Sequence, residues 1–234
     1  MNSGRDAETL AVAEIFGPTF QGEGPSTGQI AMFVRLMRCN LDCDWCDTPY
    51  TWDRDRFDLA AETTRVPVAD AALRLLAEDT PLVVITGGEP LLQAAAVADL
   101  TQRLVAEGRR VEVETNGTIA ATPELLELAW WNVSPKLRHS KVLKGRRIKR
   151  DALSTFVASG RAVFKFVVQE PADLTEVDDL ADRYGLDPVW VMPEGTSTPA
   201  ILDRMRVLAD AVLARGYRLS PRLHVLLWED TRGR

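Results

Sequence analysis

Three cysteines within eight residues are the most informative feature of the sequence. Cys39, Cys43 and Cys46 are the only cysteines in the chain, and their spacing is CxxxCxxC. An odd, clustered set cannot close into a disulfide framework, whereas three thiolates in one loop can converge on a metal centre. A closed zinc site takes four ligands, and His139 and His224 lie far along the chain. The run therefore predicts a 4Fe–4S cluster with one open iron, with a Cys3His zinc site as the alternative.

Polar turns follow several further apolar segments. Residues 86–90 are Thr-Gly-Gly-Glu-Pro, and their two glycines allow the backbone to approach a ligand closely. Residues 114–117 are Glu-Thr-Asn-Gly, residues 134–136 are Ser-Pro-Lys, and residues 192–195 are Met-Pro-Glu-Gly. Each stretch alone is compatible with an ordinary turn. Together they offer carboxylates, a hydroxyl and a cation to a small polar ligand.

The elements that position these turns alternate along the chain. Short β-branched runs alternate with longer segments of helical spacing, which is typical of parallel strands joined by crossover helices. Candidate strands are residues 11–16, 30–36, 82–86, 110–115, 130–133, 162–169, 188–192 and 222–227. Candidate helices are residues 66–78, 90–107, 151–159, 171–184 and 199–215, with a further helix that starts at residue 122. The polar turns fall at the C-terminal ends of strands, where α/β folds bind ligands. The spacing alone fits either an open sheet or a partial barrel.

Length and composition indicate one domain over residues 1–234. The net charge of −6 argues against a nucleic-acid partner, because phosphate binding depends on clustered positive charge. No apolar run approaches the roughly 20 residues of a membrane helix, so no membrane partner is expected. Residues 1–9 are polar and carry no secretory signal, which predicts a cytoplasmic protein that acts on a small molecule.

The cysteine run and the Gly-Gly-Glu-Pro turn together resemble the signature of the radical S-adenosylmethionine (SAM) superfamily. That signature has an aromatic residue before the third cysteine, here Trp45. The resemblance implies an α/β fold, a partial (incomplete) parallel β/α barrel of about six strands. It also implies that SAM chelates the open iron of the 4Fe–4S cluster and is cleaved to a 5′-deoxyadenosyl radical.

Further residues resemble one branch of that superfamily, 7-carboxy-7-deazaguanine synthase. These are the stretch at residues 20–25, Arg35 within residues 33–36, and Cys46-Asp47-Thr48 with Trp52 after it. The resemblance implies a lyase of queuosine and deazapurine biosynthesis, which converts 6-carboxy-5,6,7,8-tetrahydropterin to 7-carboxy-7-deazaguanine with loss of ammonia. It further implies hydrogen abstraction from C6 of the pterin, regeneration of SAM, Mg2+ and a homodimer. Because the cluster must be reduced, an electron donor such as flavodoxin is also expected.

The resemblance assigns roles residue by residue. Cys39, Cys43 and Cys46 hold the cluster, and Thr48 binds Mg2+. The substrate residues are Phe20, Gln21, Gly22, Glu23, Arg35, Thr86, Glu114 and His224. The SAM residues are Gly88, Glu89, Ser134, Pro135 and Lys136. Asn116 is a further candidate contact beside Glu114.

Two segments depart from the simple pattern. Residues 136–150 hold eight basic residues and no acidic one, which fits a solvated loop or a docking surface for an acidic electron donor. Residues 225–234 continue beyond the point where members of this branch often end. Two alternatives stay open from the sequence: an activase that forms a radical on a partner polypeptide, and a non-catalytic iron–sulfur or zinc protein.

Overall fold

The computed structural model describes residues 9–234, and a single nine-stranded sheet organises this part of the chain. The expectation about residues 1–9 falls on a stretch of which only Thr9 is described. The strands are β1 (Thr9–Phe20), β2 (Ile30–Leu36), β3 (Thr64–Pro67), β4 (Leu82–Gly87), β5 (Arg110–Thr115), β6 (Trp130–Val133), β7 (Ala162–Val168), β8 (Val189–Pro193) and β9 (Arg218–Leu219). Their order across the sheet is β3-β1-β2-β4-β5-β6-β7-β8-β9.

The sheet is antiparallel at one edge and parallel through the rest. β1 pairs antiparallel with both β2 and β3. From β2 to β9, every neighbouring pair is parallel. β3 and β9 lie at the two edges, so the sheet stays open. The predicted partial barrel is therefore confirmed, with one more parallel strand than expected and an antiparallel edge.

Eight α-helices are present in the described residues. They are α1 (Val68–Leu76), α2 (Ala94–Ala106), α3 (Pro123–Leu128), α4 (Lys144–Arg147), α5 (Arg150–Ser159), α6 (Leu174–Tyr184), α7 (Thr198–Leu213) and α8 (Leu223–Trp228). Short 3-10 turns precede two of them, at Pro90–Gln93 and Pro171–Asp173. No helix within residues 9–234 combines the length and the apolar character that crossing a bilayer requires.

The two faces of the parallel strands differ in chemistry. In β5, Val111 and Val113 join the main apolar core with the helices, whereas Glu112 and Glu114 do not. Successive side chains of a strand point to opposite faces, so the alternation gives the sheet an apolar face and a polar face. Lys165, between the core residues Phe164 and Phe166 of β7, follows the same alternation. The polar face carries the site described below.

The last predicted strand is wrong. Residues 223–227 lie in α8, Arg222 directly precedes it, and the strand at this edge is the two-residue β9. A short apolar run such as Leu223–Trp228 does not distinguish strand from helix by periodicity alone. β3 was not predicted, because it is a four-residue edge strand whose pairing partner, β1, is far along the chain.

Candidate active site

One cavity of about 430 Å³ lies at the C-terminal ends of the parallel strands. Its wall includes residues from all four polar turns that the sequence singled out as site candidates. The predicted site residues in the wall are Phe20, Gln21, Gly22, Glu23, Arg35, Cys39, Cys43, Cys46, Thr48, Thr86, Gly88, Glu114, Ser134, Lys136 and His224. Glu89 and Pro135 are not among the residues that line it. The roles assigned to these side chains stay predictions, whereas their convergence on one cavity is observed.

The three cysteines are free thiols that share the cavity wall. N–H donors point at two of the sulfurs. The backbone N–H of Leu41 donates to Cys39 Sγ at 3.4 Å, and Trp52 Nε1 donates to Cys46 Sγ at 3.3 Å. Cys43 packs in a small apolar cluster with Leu41. Such N–H donors stabilise thiolate sulfur and tune the potential of an iron–sulfur cluster.

The donor set fits an iron–sulfur cluster. Soft thiolates are the protein ligands that such clusters take, and the loop supplies three of them. Burial raises the pKa of Cys39 to about 12, so iron must displace a proton from this thiol when it binds. His139 is turned elsewhere, because its Nε2 lies 3.1 Å from the carbonyl oxygen of Val167 and its ring packs on Trp45. His224 lies near Glu23 instead.

The Gly-Gly-Glu-Pro turn is fastened to the cysteine loop by backbone hydrogen bonds. The N–H of Gly88 donates to the carbonyl of Leu36 at 3.1 Å, and that of Glu89 donates to the carbonyl of Arg38 at 2.8 Å. A Cβ at Gly88 would overlap the carbonyl oxygen of Arg38. Glycine is therefore required here by the close approach of two backbones, and the turn is held against the cluster loop.

Glu89 is completely buried and binds protein groups. Its carboxylate accepts hydrogen bonds from the N–H of Leu91 at 3.0 Å, the hydroxyl of Thr115 at 2.8 Å and the N–H of Asn116 at 2.7 Å. Burial raises its pKa, although these hydrogen bonds oppose the shift. The side chain thus ties the turn after β4 to the turn after β5. The predicted contact of Glu89 with SAM is not supported by its position, which is that of a brace between loops.

Arg35 presents an oriented cation to the cavity. It lies opposite Glu14 across the β1–β2 pair, and its Nε donates to Glu14 Oε1 at 2.7 Å. Tyr50 donates to the same oxygen at 3.0 Å, and Arg232 Nε lies 3.4 Å from Oε2 of Glu14. Among the described residues, the Nη1 and Nη2 atoms of Arg35 have no hydrogen-bond partner. The guanidinium fork is therefore available to a carboxylate ligand.

A network of buried charges forms another part of the wall. Glu23 accepts from Lys165 through one carboxylate oxygen and from Arg222 Nε at 3.1 Å through the other. Arg222 also donates to Asp47 and, at 2.6 Å, to the carbonyl of Gly195. Arg222 therefore joins the loop after β1, the cysteine loop and the loop after β8. Breaking such a buried network by removing one charge is strongly destabilising.

The charge states in this network follow from burial and from the neighbouring cations. Burial alone would raise the pKa of Glu23, but the cations of Lys165 and Arg222 hold it well below its ordinary value. Burial lowers the pKa of His224, so its imidazole is neutral near pH 7 despite the attraction of Glu23. A Cβ at Gly22 would overlap Nδ1 of this ring, which explains the glycine.

Two predicted cofactor contacts lie beside the cysteine loop. Thr48 Oγ1 is 3.8 Å from Cys46 Sγ and faces the cavity, where a hydroxyl oxygen suits Mg2+. Lys136 Nζ donates to Ser134 Oγ at 3.0 Å and lies 5.4 Å from the ring centre of Trp45. The hydroxyl and the ammonium thus lie together in the cavity wall, and their contact with SAM stays a prediction.

The basic segment, residues 136–150, is not a simple solvated loop. Arg146 pairs with Asp42 and Lys141 with Asp44, both in the cysteine loop. Val142 packs in the apolar cluster with Leu41 and Cys43. The segment therefore covers the outside of the cluster loop, while the side chains of Lys141 and Arg146 remain about 73% and 48% exposed.

The C-terminal segment returns to the cavity. Residues 230–234 line it, and Arg232 pairs with both Glu14 and Glu62. The guanidinium of Arg232 also lies 4.1 Å from the ring centre of Tyr50. These contacts hold the segment beside the arginine end of the cavity.

Sequence reasoning gave no role to several polar residues of the wall, among them Asp47, Tyr50, Lys165 and Arg222. It also missed Glu14, which does not line the cavity but orients Arg35. The one local signal was Lys165, a charge within an otherwise apolar strand. The remaining residues act through contacts with residues more than 20 positions away in the sequence, as Glu14 does with Arg35. No local sequence pattern predicts such contacts.

Comparisons with known proteins agree with this geometry. The sequence profile of the Radical SAM superfamily matches residues 34–130. SuiB from Streptococcus suis, at 18% identity and a TM-score of 0.54 over 79% of this chain and 44% of that chain, shows the fold alone. QueE from Escherichia coli is 30% identical with a TM-score of 0.70, over 92% of this chain and 95% of that chain.

Relatives with a stated activity are similar over nearly their whole length. The 7-carboxy-7-deazaguanine synthase of Pyrobaculum aerophilum is 38% identical over 230 residues, which cover 96% of this chain and 97% of that protein. The enzyme of the same name from Halobacterium salinarum is 35% identical and covers 98% of this chain and 94% of that protein. The resemblance found in the sequence is thereby confirmed, and the chain belongs to the 7-carboxy-7-deazaguanine synthase family of the radical SAM superfamily.

Proposed function

We propose that this chain converts 6-carboxy-5,6,7,8-tetrahydropterin to 7-carboxy-7-deazaguanine and ammonia. The observation that carries the proposal is the single cavity that joins the three cysteines to Arg35 and Glu114. A pterin that bears a carboxylate has two recognition ends, an anionic group and a guanidine-like edge with N–H donors. A guanidinium suits the first end and a carboxylate suits the second.

The chemistry is supplied by the cofactors, and the protein supplies position. The 4Fe–4S cluster with SAM provides the one-electron reductive cleavage that starts the removal of hydrogen from C6 of the pterin. Substrate and product differ by ammonia alone, so the reaction is redox neutral and is compatible with regeneration of SAM. Cys39, Cys43 and Cys46 would hold the cluster, and Gly88, Ser134, Pro135 and Lys136 would hold SAM.

Arg35 and Glu114 fix the orientation of the substrate in this proposal. Arg35 receives the carboxylate through its free terminal nitrogens. Thr86 donates to Glu114 at 2.8 Å and Gln21 donates to it at 3.3 Å, which aims the carboxylate at the pyrimidine edge. Two anchors at opposite ends of a flat ligand determine which carbon faces the SAM site.

Mg2+ is a further part of the proposal. Thr48 offers a hydroxyl oxygen in the cavity wall, directly after the cysteine loop. A hard cation with one protein oxygen completes its shell with water and substrate oxygens. In this proposal Thr48 would supply one oxygen ligand to Mg2+, and the metal would assist the binding of the substrate.

The remaining assignments concern partners and location. The exposed charges of the basic segment fit an acidic electron donor such as flavodoxin, because complementary charge accelerates encounter. Free cysteines and a reducible cluster fit the reducing conditions of a cytoplasmic location. A homodimer and a single domain over residues 1–234 complete the proposal, with the family resemblance as support for the dimer.

The proposal is tested with protein whose cluster has been reconstituted anaerobically. Incubation with SAM, a reductant, Mg2+ and the carboxytetrahydropterin should yield 7-carboxy-7-deazaguanine, detected by mass spectrometry. An EPR signal of the reduced cluster should change when SAM is added, which separates a SAM enzyme from a non-catalytic iron–sulfur protein. Release of deoxyadenosine with no deazaguanine would reject this substrate.

A further inference from the structure

Lys165 is a buried cation in the middle of an apolar strand. Its strand, β7, has the sequence Ala-Val-Phe-Lys-Phe-Val-Val, and its side chain is only 5% exposed. The ammonium group reaches the polar face of the sheet, where it pairs with Glu23 and lies 3.5 Å from Glu114 Oε1. Burying a lysine costs free energy unless it is paired, so this position requires an explanation.

The two carboxylates that Lys165 contacts are in different situations. Both oxygens of Glu23 are already bound to cations, one to Lys165 and the other to Arg222. Glu114 is more open to the cavity, with 22% of its side chain exposed, against 14% for Glu23. Neutral donors, Gln21 and Thr86, fix the orientation of Glu114. Glu114 is thus able to accept hydrogen bonds from a ligand, whereas Glu23 is occupied.

We propose that Lys165 is a positioning residue, anchored by Glu23, that holds the carboxylate of Glu114 for the amino-pyrimidine edge of the ligand. The inference rests on the proposed function and deepens it. It changes the predicted role of Glu23 from a substrate contact to the anchor of the lysine. It assigns recognition of the 2-amino group and the adjacent ring N–H to Glu114.

Electrostatics supports this arrangement. Two carboxylates in one buried wall repel each other, and without a cation one of them would take up a proton. Glu23 and Glu114, despite coming from separate elements, hold the pKa of Lys165 well above its ordinary value against the opposite effect of burial. The other charged group beside Glu23 is Arg222, which is shared with Asp47, and the imidazole of His224 lies 4.0 Å from Glu23.

The test compares two ligands in a binding assay that needs no turnover. The probes are 7-carboxy-7-deazaguanine and its analogue that lacks the 2-amino group. Quenching of tryptophan fluorescence reports binding, because Trp45 and Trp52 line the cavity. For Lys165→Met we expect the affinity for the amino ligand to fall on the order of tenfold or more, with a change below about threefold for the deamino analogue.

Controls separate positioning from general damage. Arg206→Met removes an exposed cation that is paired with Asp203, and it should bind both ligands as the unaltered protein does. If Lys165→Met does not fold, the double variant Lys165→Met/Glu23→Gln removes both charges of the closest pair, and the same ligand selectivity is expected. Removing both partners of a buried pair is much less costly than removing one.

The outcomes distinguish this inference from the proposed function. Equal loss of affinity for the two ligands, or no loss for either, would overturn the role of Lys165. The two proposals can also fail separately. If the unaltered protein binds 7-carboxy-7-deazaguanine but does not form it, and Lys165→Met no longer discriminates between the two ligands, the positioning role of Lys165 is supported and the proposed reaction is rejected.

Discussion

Replacement of Arg35 is the perturbation that most directly probes the substrate end of the cavity. Arg35→Ala removes a guanidinium that is 18% exposed and keeps Glu14 in contact with Tyr50 and Arg232. Because Glu14 retains partners, the loss in free energy of unfolding should stay below the ~3–5 kcal/mol typical of an uncompensated buried charge. Folding should therefore survive, and the effect should appear in binding.

The expected magnitude follows from the two free terminal nitrogens of Arg35. Hydrogen bonds to charged groups contribute about 1.5–3 kcal/mol, and each ~1.4 kcal/mol is a tenfold change in affinity. Loss of one such bond should raise KM for the carboxytetrahydropterin by roughly 10- to 150-fold, and Arg35→Ala, which removes both nitrogens, should raise it at least that much. Arg35→Lys keeps the charge but loses the planar fork, so its KM should lie between that of the unaltered protein and that of Arg35→Ala.

The assay is steady-state product formation under anaerobic conditions at saturating SAM and Mg2+. Iron and sulfide content and the SAM-induced change in the EPR signal should be the same for Arg35→Ala and the unaltered protein. Arg206→Ala, which breaks an exposed ion pair, is the matched arginine control. A KM within threefold of the unaltered value, with normal cluster content, would refute the assignment of Arg35 to the substrate carboxylate.

Three further substitutions test other parts of the site. Thr48→Ala should raise the half-saturating Mg2+ concentration several-fold, because it deletes the proposed oxygen ligand, whereas Thr48→Ser should not; identical magnesium titrations would contradict the assignment. Glu89→Ala leaves buried donors such as the N–H of Asn116 unpaired and should lower the free energy of unfolding by ~2–5 kcal/mol in urea titrations. A loss below ~1 kcal/mol would show that Glu89 does not brace the two loops. Arg222→Met should cost ~3–5 kcal/mol in the same measurement, against under ~1 kcal/mol for Arg206→Met, and equal losses would argue against the buried network.

Local sequence patterns were sufficient to predict the parallel strands of the sheet and most of the helices between them. Apolar runs such as Leu82–Gly87 end in polar turns, and helices such as Leu174–Tyr184 end at a glycine, here Gly185 with a φ of 67°. These signals depend on residues close in sequence. The sequence patterns did not predict β3 or the helix at Leu223–Trp228. Both elements are short, so their conformation is decided by what they pack against.

The site shows the same division between local and distant information. The three cysteines and the Gly-Gly-Glu-Pro turn are each defined by residues close together in the sequence, so both were predicted. Lys165 and Arg222 act through the carboxylate of Glu23, 142 and 199 positions away, and only the folded sheet brings them together. Glu89 was found by its motif, but burial gives it a bracing role that the motif alone does not reveal.

The most direct test of the central claim is the ratio of 7-carboxy-7-deazaguanine formed to SAM consumed by the reconstituted protein. A redox-neutral loss of ammonia predicts many equivalents of deazaguanine for each equivalent of SAM lost, with production dependent on the reductant and stimulated by Mg2+. Stoichiometric consumption of SAM with deoxyadenosine as the product, and no deazaguanine, would contradict the proposed reaction.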